Sequence, residues 1–214
     1  MKHMGIAVLR GDQLDTLDNG NRSDLLHEFN TNHYLSPNSD IVALMVLEHQ
    51  SQMHNTITRA EFSMRQLQHE STQQLVATKD VEDEWRAQIH LLAKSVVDCM
   101  LFSNEFRLTS EVSGLEAFAK EFIRRGPQDC QNRSLRDFDM KTRMFKYPCS
   151  YLIYSAAFDS LQQPLRIEIY DQLLRVLSNA NRSDDYKHLD DSTRASILEI
   201  LIETKSGLPE NWKP

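Results

Sequence analysis

Between residues 39 and 70 the chain reads SDIVALMVLEHQSQMHNTITRAEFSMRQLQHE, with no proline or glycine. At about 100° per residue, Met53, Ile57, Ala60, Met64 and Leu67 fall on one stripe. That spacing predicts an amphipathic helix with one face on a core. Ile41 to Leu47 differs, being apolar all the way round, which predicts burial on every side. Ser39 or Asn38 suits the cap, and Asp40 suits the first turn, where a negative charge meets the positive end of the helix dipole. A second pattern opens at Thr78 or Asp80 with an acidic turn, Glu82, Asp83 and Glu84. Its stripe is Val81, Trp85, Ile89, Leu92, Val96 and Cys99, and it is expected to run to about Asn104. The connection between the two patterns is short and polar, so an antiparallel helix hairpin is the expected arrangement.

Shorter patterns follow. Leu115 to Arg125 reads as an amphipathic helix with Phe118, Phe122 and Ile123 inward, stopped by Gly126 and Pro127. Tyr147 to Leu161 reads as a buried helix entered through Pro148, and its tyrosine hydroxyls at 147, 151 and 154 need partners. Pro164 opens another helix, with Leu165, Ile169, Leu173 and Val176 on one stripe. Asp190 or Asp191 caps the last, Ser192 to Thr204, with Ile197, Ile200 and Leu201 inward. Turn-forming residues crowd Gly11 to Asp24, so residues 1–38 read as an irregular arm, with a short helix at Ser23 to Phe29. No segment shows strand alternation. The expectation is an all-α fold: an irregular bundle of about six helices on a long antiparallel hairpin, with an arm over 1–38 and a helical domain over 39–214.

Composition narrows the function. The formal net charge of −7 gives no basic balance for a nucleic-acid partner. Cys99, Cys130 and Cys149 have no metal spacing, and the absence of CxxC and CxxCH excludes a zinc ribbon and a covalent c-type haem site in this sequence. One disulfide among the three stays open. No apolar run approaches the length of a membrane span. The first 20 residues lack the apolar segment of a signal peptide, which taken alone favours the cytoplasm. Arg124, Arg125, Arg133, Arg136, Lys141, Arg143 and Lys146 make one region basic. They can receive an anionic partner, or pair with Asp129, Asp137 and Asp139.

The candidate chemistry lies on the first helix. Glu48, His49, His54, Asn55 and Arg59 cluster beside its most apolar part. On the wheel His49 falls between Met45 and Met53, Glu48 on the opposite side, and His54 in a third direction. His49 and His54 are five apart, unlike the two histidines four apart of a zinc-protease helix. In an antiparallel hairpin Asp98 comes level with residues between roughly 48 and 58. One reading is a buried pair of Asp98 with Arg59 or a histidine that fixes helix register. The other is a site: Glu48, His49, His54 and Asp98 as ligands for iron, manganese or zinc. The Glu-x-x-His signature of di-iron bundles is absent.

Three segments, SDIVALMVLEHQSQMHNTITRA, GPQDCQNRSLRDFDMKTRMFKYPCSYLIYSAAFDSL and ILEILIETKSGLPENW, resemble recurrent stretches of an uncharacterised family of bacterial exported proteins. Together they cover about Leu35 to Trp212. The resemblance implies a periplasmic redox setting, because such proteins often carry an upstream c-type cytochrome-like segment with CxxCH, which this sequence lacks. On that basis the expected role is a non-catalytic helical module working with a c-type haem segment or cytochrome partner. His49 or His54 would then be an axial haem ligand or stand at a haem edge, with Arg or Lys on the propionates. The alternatives are a metal-dependent enzyme built on Glu48, His49, His54 and Asp98, or a structural or partner-binding domain. No catalytic residue is carried over from the resemblance.

Overall fold

The structure, a computed structural model, describes residues 7–16, 24–26, 29–34, 37–73 and 79–212. Among the described residues six α-helices form the body: α1 (Ile41–Gln73), α2 (Lys79–Met100), α3 (Glu116–Arg124), α4 (Ala156–Asp159), α5 (Gln163–Leu177) and α6 (Asp191–Thr204). The body is therefore the expected all-α bundle. α1 and α2 pack as a hairpin, α5 lies on the other side of α2, and α6 covers α5. The link between α1 and α2, with Thr78, lies outside the described residues.

The stripe of α1 behaves as its spacing requires: Met53, Ile57, Ala60 and Met64 are buried. The segment Ile41 to Leu47 does not. Val42 and Val46 are buried, but Leu44 is 54 % and Leu47 56 % exposed, because the bundle covers only one side of this end of α1. Asp40 itself caps the helix rather than lying within it. Its Oδ1 accepts the Val42 amide at 2.9 Å, and its Oδ2 accepts the Leu115 amide at 3.2 Å. Gly114 makes this approach possible, since a Cβ there would lie 2.6 Å from Val42 Cγ2.

α2 stops before the expected end at Asn104. Ser103 N donates to Asp98 O at 3.0 Å and Phe102 N to Cys99 O at 3.3 Å, the paired bonds of a Schellman ending. The left-handed position of that motif, usually glycine, is Phe102 at φ 58°.

The helix expected over Tyr147 to Leu161 is broken into a 3-10 turn, Tyr151–Tyr154, and the single turn of α4. Two serines cause the break. Ser150 Oγ accepts the Leu152 amide and Ser155 Oγ accepts the Phe158 amide, so each caps a new start. Tyr154 finds Thr204 Oγ1 at 2.6 Å, and Tyr151 finds Gln50 Oε1 at 3.3 Å. α6 starts as expected, with Asp190 Oδ1 accepting the Thr193 amide at 2.7 Å.

The arm is less irregular than its composition suggests. β1 (Ala7–Arg10) and β2 (Gln13–Thr16) form an antiparallel hairpin, Arg10 opposite Gln13, with Gly11 at φ 65° in the turn. The short helix expected at Ser23 to Phe29 lies partly outside the described residues. Within them Asp24 bridges Asn38 and Leu25 N donates to Pro37 O at 2.8 Å, so this stretch pairs with the chain entering α1.

The long connection from α5 to α6 is tied to one side chain. Arg194 is buried, and its guanidinium donates to four carbonyls: Leu189 and Tyr186 at 2.9 Å, Val176 at 2.6 Å and Asn181 at 2.9 Å.

Candidate functional groove

The helical period places Ile41, Met45, His49, Gln52, Thr56 and Arg59 along one side of α1. α2 brings Ser95, Asp98 and Cys99 to face them. The chain then leaves α2 through Phe102 and closes the far wall with Glu105, Phe106, Leu108 and Val112. The result is a groove of about 720 Å³, in which Glu48 and Met144 also take part.

His49 forms its floor and is 5 % exposed. Its Nε2 lies 2.8 Å from Ser150 Oγ. Its ring stacks on Phe102, centroids 4.4 Å apart at 23°, and meets the Phe145 and Tyr151 rings edge-on. Burial pushes its pKa down to about 4, so the imidazole is neutral at pH 7.

A serine beside a histidine invites comparison with an activated nucleophile, but the surroundings argue otherwise. Ser150 is fully buried and does not line the groove. Its amide donates to Met100 O at 2.8 Å and its Oγ also caps the 3-10 turn. A base whose pKa lies near 4 takes up a proton poorly at neutral pH. The pair holds α1 against the 150–154 turn and the end of α2.

Glu48, His49 and Asp98 do line one groove, as the register of the hairpin requires, but His54 does not. The expected bond from Asp98 to Arg59 or a histidine is replaced by two others. Lys94 Nζ, one turn back on α2, donates to Asp98 Oδ2 at 2.7 Å, and Tyr186 OH donates to Oδ1 at 2.7 Å. Lys94 belongs to the hairpin as the i−4 neighbour of Asp98, whereas Tyr186 comes from the α5–α6 connection and leaves no mark on it. Among the described residues no three His, Cys, Asp or Glu side chains converge closely enough to hold a metal ion. Haem, implied only by the resemblance, needs a ring nitrogen aimed at the iron. Nε2 of His49 is turned to a fully buried serine, so the geometry does not offer it as an axial ligand through that atom.

Glu105 accepts the Met144 amide at 2.8 Å. Burial raises its pKa, opposed by that amide and by the charge of Arg143. Burial also raises the thiol of Cys99, which is bonded to the Thr56 side chain. All three cysteines are free, and burial lifts Cys149 to about 12.

The basic region divides into three parts. Arg124 and Arg125 bind Glu121, and Arg133 binds Asp129 and Glu199. Arg136 is sandwiched between the Phe122 and Tyr151 rings, 4.8 and 4.7 Å from their centroids. Lys141, Arg143 and Lys146 make no ion pair among the described residues and stand round a second, smaller concavity.

Compared with known proteins, the chain matches no family model, no curated protein and no solved structure. No helix among the described residues is long and apolar enough to cross a membrane.

Proposed function

We propose that this protein is a binding module whose working surface is the groove of α1 and α2, and that its ligand has an apolar body and a cationic or neutral polar head. One observation carries the reading: the groove joins an apolar wall, Met45, Phe102, Leu108, Val112 and Met144, to two carboxylates, Glu48 and Glu105, that have no ion-pair partner among the described residues. Arg59 is the single cation on the lining, and Asp98 is already engaged by Lys94. An apolar pocket with a few placed polar groups is the usual form of a ligand site. The neutral His49 floor adds no charge of its own.

The test is a calorimetric titration with two probes of equal chain length, octylammonium and octanoate. Octylammonium should bind saturably at one site, octanoate much more weakly, and Glu48→Gln should narrow the difference. Equal binding of both probes, or of neither, would sink the reading.

A second reading keeps the groove and changes the occupant. Phe106 lines it and is 70 % exposed, Leu44 and Leu47 stand exposed on the adjoining face of α1 beside Glu48, and such apolar side chains suit a protein partner. In the periplasmic setting suggested by the resemblance, that partner is a cytochrome-like domain that brings its own haem. Titration with a small c-type cytochrome should then shift the NMR signals of these three side chains, and a titration that leaves them unmoved removes this reading.

A further inference from the structure

The second concavity is built from the residues that flank Met144, whose own side chain lines the groove, and its chemistry is different. It encloses about 450 Å³ and is lined by Phe138, Asp139, Lys141, Thr142, Arg143 and Lys146, with Thr193 from the first turn of α6. One aromatic ring is its only apolar wall, so it suits a small charged group rather than an apolar body.

Its charge is unusual for this protein. The formal net charge is −7, yet three cations meet here. The other arginines of the region have carboxylate or aromatic partners, whereas these three have no carboxylate within ion-pair distance among the described residues. Lys141 has no side-chain hydrogen bond there at all. Lys146 Nζ lies 5.3 Å from the Tyr147 ring centroid, and Arg143 Nη2 donates to His188 O at 3.0 Å, which fixes the guanidinium in place.

The one carboxylate on the lining, Asp139, is turned inward upon its own loop. It accepts the Thr142 hydroxyl and the amides of Lys141 and Thr142. Burial alone would raise its pKa, but those bonds and the Arg143 amide leave it below its ordinary value. Its charge is thus spent on the loop, and the cations are left without it, while the Thr193 hydroxyl beside them is taken by Asp190.

We infer that Lys141, Arg143 and Lys146 form a binding site for a phosphoryl-type oxyanion, with Thr193 at its edge. Two ammonium groups supply point charge and the guanidinium supplies a planar fork, the usual pairing for a tetrahedral oxyanion. A dianion balances three cations and one carboxylate. A longer polyanion is disfavoured, because Asp190 and Asp191 stand at the start of α6 beside Thr193.

The site is tested by an NMR titration with inorganic phosphate, the ionic strength held constant with chloride. Amides of residues 139–146 and of Thr193 should move and saturate. In the double variant Lys141→Gln/Lys146→Gln the affinity should fall at least about fivefold, since two charge-assisted contacts are removed. Both lysines are exposed, so the variant keeps the fold. A second arm uses glycerol phosphate: tighter binding than inorganic phosphate assigns the site to a phosphate monoester, and weaker binding assigns it to the free ion. Phosphate shifts no larger than those with chloride, or an unchanged affinity in the double variant, would overturn the inference.

Discussion

At the scale of single residues, His49 shows how a polar group is accommodated in the wall of an apolar groove. A buried imidazole is tolerated when neutral and hydrogen-bonded, and Ser150 supplies the bond. The cost appears on acidification. The folded pKa of about 4 lies below the ordinary 6.5, so the unfolded chain binds the proton more readily. Stability from this residue is complete above about pH 6.5 and is lost as the pH falls towards 4. Between pH 7 and pH 5 the loss should be about 2 kcal/mol. Urea denaturation of the wild type should show it, and of His49→Phe should not. An equal acid loss in both proteins would show that His49 is not the group responsible. The position of His49 on the helix was legible in its period of apolar neighbours. Its partner was not, because a serine 101 positions away leaves no mark on the local pattern.

At the scale of elements, the ends of helices were harder to read than their faces. The stripes of α1, α5 and α6 follow from spacing alone; that of α2 follows in part, since Ile89 and Val96 are buried together with Ala93, Val97 and Met100, whereas Trp85, Leu92 and Cys99 are only half-buried. The end of α2 does not, because an aromatic residue stands where a Schellman ending usually has glycine. A left-handed L-residue costs roughly 1–2 kcal/mol. Phe102 recovers it by stacking on His49 and meeting Phe145 edge-on at 5.7 Å. Two substitutions separate the contributions. Phe102→Ala loses the ring and keeps the strain, whereas Phe102→Gly loses the ring and releases it. Glycine should therefore be the more stable of the two by about 1 kcal/mol, with both below wild type by thermal denaturation. The reverse order would mean that the backbone here is not strained. The break at Ser155 had a local signal, since serine competes for backbone amides. The long apolar run of YPCSYLIYSAAF masked it.

At the scale of the molecule, the antiparallel hairpin places Asp98 level with the polar residues of α1, and both line one groove. The missing information was what the later chain adds. Tyr186 takes Asp98, Ser150 takes His49, and the 102–112 segment supplies the far wall. A hairpin considered alone contains none of these, so the candidate residues were legible and their partners were not. The same limit applies to Leu44 and Leu47. An apolar end predicts burial, but only the assembled bundle shows which side has nothing packed on it.

The guanidinium of Arg194 gives the α5–α6 connection a property that its sparse regular structure conceals. Four carbonyls from positions 176 to 189 converge on one cation, so releasing any of them leaves a buried charge poorly solvated. The connection therefore has no inexpensive partial opening. Its protected amides should exchange with deuterium in one collective event together with α6, at a rate set by that event rather than by local fraying. Native-state hydrogen exchange at increasing urea would show the two sets merging onto one line. A connection that exchanged earlier, residue by residue, would mean that the cation binds the carbonyls without coupling them.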